Sequence, residues 1–81
     1  MNKTISTGEL ILTIREEIDE LELSELTPAT EFRQIDGWSS LYSLVLMAMS
    51  STEFGVELSG EQVQRIKTVQ DLCDTINDMR N

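Results

Sequence analysis

Eighty-one residues with six basic and fifteen acidic side chains, a net charge of −9, leave room for one domain spanning 1–81 and no more. A chain this short buries only about 60–65% of its unfolded surface, which disfavours a deep enclosed catalytic pocket and favours a binding, carrying or adaptor module. The acidity repels phosphate backbones and anionic lipid, so neither nucleic acid nor membrane insertion is expected, while a partner with a basic patch would be steered in. 

The first helix is expected to start near Thr4 or Ser6, either of which is placed to cap it. Leu10, Ile11, Ile14, Ile18 and Leu21 then recur at helical spacing, with Glu16, Glu17, Asp19, Glu20 and Glu22 on other faces. That is the pattern of a core helix with a solvated acidic side. From Leu23 to Trp38 the periodicity fades. Pro28 lacks a backbone donor and disfavours helix before it, and Thr27, Thr30 and Gly37 add turn character. The connection is long for so small a domain, and Leu26, Phe32 and Ile35 are expected to fasten it to the core.

The next segment, DGWSSLYSLVLMAMSSTEFGVEL, predicts a helix from about Ser40 to Glu53, capped by Ser39 and ended by Gly55. Ser59 stands three residues ahead of Gln62, the spacing of a capping box, and opens a short helix. Thr68 and Asp71 repeat that relation at the start of a last helix. Its apolar stripe is Val69, Leu72, Cys73, Ile76 and Met79. The fold class is therefore all-α: a small four-helix bundle with three longer helices, one short helix and a long first connection. No stretch shows strand alternation, and apart from the N-terminal MNKT none reads as disordered.

Chemistry of its own is scarce. With no histidine and one cysteine, Cys73, the chain lacks Ser-His and Cys-His pairs, a His-based metal site and an intrachain disulfide. Cys73 falls within an apolar stripe and reads as a small core residue. An enzyme is not expected. The absence of a signal-peptide core or a membrane-length apolar run places the protein in the cytoplasm, as a monomer by default.

The second long helix carries the functional signal. Leu41, Tyr42, Leu44, Val45, Leu46, Met47, Ala48 and Met49 surround it, interrupted only by Ser43. A helix apolar all round is normally buried all round. A four-helix domain must show one face of it to solvent, so part of this surface is available to a partner. The paired serines at its start have a local job as caps. They also stand where free backbone amides and the helix dipole favour a phosphate. Spacing alone does not separate a modified serine from two caps.

From Phe32 to Ile76 the chain resembles the acyl carrier protein family, which has an Asp-Ser-Leu motif at the start of its second helix. Ser40-Leu41 matches the Ser-Leu, Gly37 stands in its usual place, and the register continues through Leu46, the EFGVEL stretch and IKTVQDL. The resemblance implies phosphopantetheine, moved from coenzyme A to Ser40 by a phosphopantetheinyl transferase. Acyl groups would then be held as thioesters for acyl-loading and acyl-processing enzymes, with no catalytic residue from the carrier itself.

Two departures from the family stand out. Ser39 replaces the aspartate that assists engagement by the transferase, and it competes with Ser40 as attachment residue, although register favours Ser40. Between Ser40 and Thr52 there is also no carboxylate, where the family shows several to its enzymes. Docking is thus expected to rest on apolar contact through Trp38, Leu41, Tyr42, Val45 and Ala48, as in a specialised lipid or polyketide carrier. The alternatives are an unmodified interaction module and an aminoacyl or peptidyl carrier.

Overall fold

The computed structural model describes residues 4–80; residue 81 and the first three residues of the MNKT stretch lie outside it. Among the described residues four α-helices follow in order: α1 (Thr7–Glu17), α2 (Ser40–Phe54), α3 (Gly60–Arg65) and α4 (Val69–Arg80). The architecture is the expected bundle of three longer helices and one short one. No helix among the described residues is long and apolar enough to cross a membrane.

Helix α1 begins where Ser6 accepts the N–H of Glu9 on its hydroxyl at 3.1 Å, so Ser6 rather than Thr4 is the cap. It is shorter than its apolar spacing suggests. Ile18 leaves helical geometry at φ −122°, ψ 78°, and Leu21 lies in the connection rather than on the helix stripe. There it approaches Gly37, where a Cβ would meet its Cδ2 at 3.0 Å. Gly37 also has φ +83°, so both backbone and space require glycine at the turn into α2.

Leu10, Ile14 and Ile18 meet Leu46 and Met49 of α2 and Val69, Leu72, Cys73 and Ile76 of α4 in one core. Val56, Leu58 and Ile66 close it from the segments around α3. Truncating such a fully buried Leu or Ile to Ala typically costs about 2–5 kcal/mol, a large share of what a domain of this size holds. Ser50 is the one buried polar residue among those described. Its hydroxyl donates to the carbonyl of Leu46 at 2.8 Å, so it leaves no unmet donor.

The long connection is fixed as expected, with Phe32 buried and Leu26 and Ile35 packed against the core. Backbone bonds add to this anchoring. The N–H of Phe32 donates to Lys67 at 2.9 Å, Val69 donates to Thr30 at 3.1 Å, and Gln70 donates to Pro28 at 2.9 Å. Among the described residues, one antiparallel bridge pairs Glu31 with Thr68. Connection and α4 thus share backbone bonds across the chain.

The ends of α4 differ from each other. Its stripe reaches Ile76, and Asn77 clasps the chain start, accepting from the N–H of Ile5 at 2.8 Å and donating to its carbonyl at 3.0 Å. Met79, expected to extend the stripe, is instead 41% exposed. It meets the polar Gln62 side chain of α3, whose amide approaches its sulfur at 3.4 Å, rather than core atoms.

Candidate functional site

The start of α2 is set by three aromatic rings. Buried Phe32, on the 3-10 turn Phe32–Gln34, lies 5.3 Å from Trp38 in a stacked arrangement, and Trp38 lies 5.4 Å from Tyr42. Contacts of this geometry add about 0.5–1.5 kcal/mol to simple burial. They hold the residue just before Ser39 and the first turn just after it. Ser39 and Ser40 are both exposed on this support.

Ser39 takes the cap position, with φ −141° and ψ 171°, but its hydroxyl makes no capping bond. The expected cap is therefore present in place and absent in function. The carbonyl of Ser39 accepts from Tyr42 at 3.0 Å, while the N–H groups of Ser40 and Leu41 find no acceptor among the described residues. These open amides are the feature that favours an oxyanion at a helix start.

Ser39 and Ser40 open onto a cleft of about 530 Å³. Trp38 and Arg33 line one side, Ser43, Leu44 and Met47 of α2 another, and Gly60, Val63 and Gln64 of α3 the far side. Beneath it lies a void of about 20 Å³ among Leu46, Leu58, Ile66 and Leu72. That is room for about one water molecule. Arg33, Trp38, Ser43 and Val63 border both spaces. The structure thus offers an exposed hydroxyl, a wide apolar-walled cleft and a small interior extension.

Residues 9–76 match the family model described as "Phosphopantetheine attachment site". The chain belongs to this family, that of the acyl carrier proteins. An acyl carrier protein of Thermosynechococcus vestitus is 38% identical to it over 53 residues, which cover 65% of each chain. The chain therefore spans somewhat less than two thirds of that relative's length. Membership brings a covalently attached phosphopantetheine as prosthetic group. The residues present fit such a group: an exposed serine at α2, free amides beside it, and a cleft with room for an arm.

The family's second helix is unevenly exposed here. Leu41 and Leu44 are each 61% exposed, and Ala48 is exposed one turn further on. Spaced three and four residues apart, they form one stripe. Tyr42, Val45 and Trp38 are half-buried and pack against the core. Of the residues expected to meet a partner, Leu41 and Ala48 are free, whereas the other three also serve the fold. Nothing in the sequence marks Leu44 for exposure, because a helix apolar all round gives no phase from which exposure can be read.

Cys73 is buried, with its thiol 3.5 Å from the carbonyl of Ile5. Burial, with a smaller contribution from Asp74, pushes the thiol above its ordinary range, which suits a core residue and not a nucleophile.

Proposed function

We propose that this chain is an acyl carrier protein, a single carrier domain without catalytic residues, with phosphopantetheine on Ser40. One observation carries the reading: Ser40 is exposed at an uncapped helix start, beside the apolar cleft and in the register of the family's motif serine. When bound, the group supplies a terminal thiol that carries an acyl chain as a thioester. The protein's own residues do the rest. The Phe32–Trp38–Tyr42 stack fixes the attachment turn, the open amides favour the phosphodiester, and the cleft shelters apolar atoms of the tethered chain. Tethering keeps the acyl group at high effective concentration near a docked enzyme.

Docking falls to the Leu41, Leu44 and Ala48 stripe, with charge from the acidic remainder acting on encounter rate. Leu44→Glu is expected to slow turnover by the partner enzyme with little loss of stability; an unchanged turnover would defeat the docking assignment. It is a cleaner test than Val45→Glu, because Val45 packs against the core. The absence of carboxylates from Ser40 to Thr52 points to a specialised lipid, polyketide or related pathway in the cytoplasm, with the carrier acting as a monomer. Ser39 in place of the family's aspartate favours a second reading, an interaction module that is never modified. An aminoacyl or peptidyl carrier shares the first mechanism.

Intact mass, measured before and after incubation with coenzyme A and a broad-specificity phosphopantetheinyl transferase, tests the proposal. One added phosphopantetheinyl group, lost in Ser40→Ala, is the expected result. A gain that survives Ser40→Ala but vanishes in Ser39→Ala would move the site by one residue. No gain with several transferases would leave the interaction module.

A further inference from the structure

Cations are scarce in this molecule, six against fifteen acidic residues. Arg65 is paired with Glu61 at 3.1 Å on the surface of α3. Arg33 forms no ion pair among the described residues, although Glu31 and Asp36 lie close to it in sequence. It lines the cleft onto which Ser40 opens, and no carboxylate lines that cleft. The sign of charge at this wall is therefore opposite to that of the protein as a whole.

The position of Arg33 adds a second argument. It borders both the open cleft and the small void beneath, so it stands at the boundary between them. Around it the cleft is walled by Trp38, Leu44, Met47 and Val63. Arg33 is itself exposed at this edge, and apolar walls bordered by one cation suit a ligand with an apolar body and an anionic group. A guanidinium stays charged at every working pH and presents forked donors that match an oxyanion.

We propose that Arg33 is an oxyanion anchor for the group tethered at Ser40, which makes it a positioning residue for the arm or for its cargo. The inference rests on attachment at Ser40. Two tethered oxyanions share the required chemistry: the phosphodiester of the arm, and a carboxylate at the far end of a dicarboxylic acyl group.

The test uses apo, holo, acetyl-loaded and malonyl-loaded full-length carrier, with each loading checked by intact mass. It reads the Arg33 Nε–H cross-peak, the phosphorus-31 shift and the carbon-13 titration of the malonyl carboxylate. If the diester is the ligand, the Arg33 signal moves between apo and holo, and the phosphorus shift changes in Arg33→Gln. If the terminal carboxylate is the ligand, the signal moves on malonyl but not acetyl loading. The carboxylate then titrates about half a pH unit lower in the native carrier than in Arg33→Gln. Added salt should narrow that difference, and Arg33→Lys should restore part of it. An Arg33 signal identical in all four states overturns the anchor alone. A failure of any form to gain mass overturns attachment, and the anchor with it.

Discussion

Two helix starts in this protein have been treated in opposite ways. At α4 every early amide is met: Val69 by Thr30, Gln70 by Pro28, Leu72 by the Thr68 carbonyl, and Asp71 by the Thr68 hydroxyl at 3.0 Å. The Asp71 carboxylate in turn accepts from Lys67 at 3.0 Å and Thr68 at 3.1 Å. At α2 the serine in the cap position makes no capping bond, and two amides stay open. Helices α1 and α3 are capped by Ser6 and Ser59. A cap is worth about 1 kcal/mol, and α2 forgoes it at the place where the family attaches its cofactor. The start of α4 has every early amide met, whereas the start of α2 leaves its first two amides open and lacks the hydroxyl cap that α1 and α3 have.

The sharpest way to break that comparison is at Ser40. Ser40→Ala is expected to abolish attachment completely while shifting stability by no more than about 0.5 kcal/mol, since an exposed first-turn serine supports nothing in the fold. Intact mass and urea unfolding read the two effects separately. A large stability loss would mean that the open start is structural after all.

The converse holds at α4. Thr68→Ala and Asp71→Ala should each cost about 1 kcal/mol in urea unfolding. The double variant should cost less than the sum, because the two side chains serve one network. Attachment at Ser40 should be unaffected in any of the three. A carrier that lost attachment along with this cap would show that the two starts are coupled through the connection bonded to both.

Acid sharpens the same contrast. Hydrogen bonds from the Lys67 and then the Thr68 amide hold the Asp71 carboxyl below its ordinary 3.8. Its contribution is present above the unfolded value and lost as pH falls through the lower, folded one. Asp71→Asn should flatten the decline in stability below pH 3.8. Glu22 is also lowered, by the hydroxyl and then the amide of Ser24, so Glu22→Gln supplies a control for a carboxylate outside this helix start. An unaltered acid profile in Asp71→Asn would remove the carboxylate from the closed start.

What the sequence made legible follows the range of each interaction. The caps at Ser6, Ser59 and Thr68 are local, with a side chain and an amide three residues apart, and all three form. The core stripe of α4 is equally local as far as Ile76. The bonds from Pro28 and Thr30 to α4 join segments far apart in sequence, and no local pattern announces them. Leu21 fits a helical spacing but packs against the core from the connection, past the end of α1, and Met79 fits the α4 stripe but stays exposed beside Gln62. Arg33 reads as one more surface cation until the fold sets it in a cleft without carboxylates. Ser40 needed the family register, because two adjacent serines at a helix start look alike to spacing alone.

The smallest effect probes the open start directly. Ser39→Asp places a carboxylate where the Ser40 and Leu41 amides have no acceptor, and such a cap should stabilise the apo protein by about 0.5–1 kcal/mol. The substitution also restores the residue that the family uses to engage its transferase, so attachment should become faster. The two readouts separate two causes of the open start. A gain in both means that Ser39 leaves the amides free at the expense of stability and of the transferase. A gain in stability alone means that this carrier is served by a transferase that does not require the carboxylate. No gain in stability means that the Phe32–Trp38–Tyr42 stack already fixes the turn, and that the free amides are there for the phosphodiester rather than for a cap.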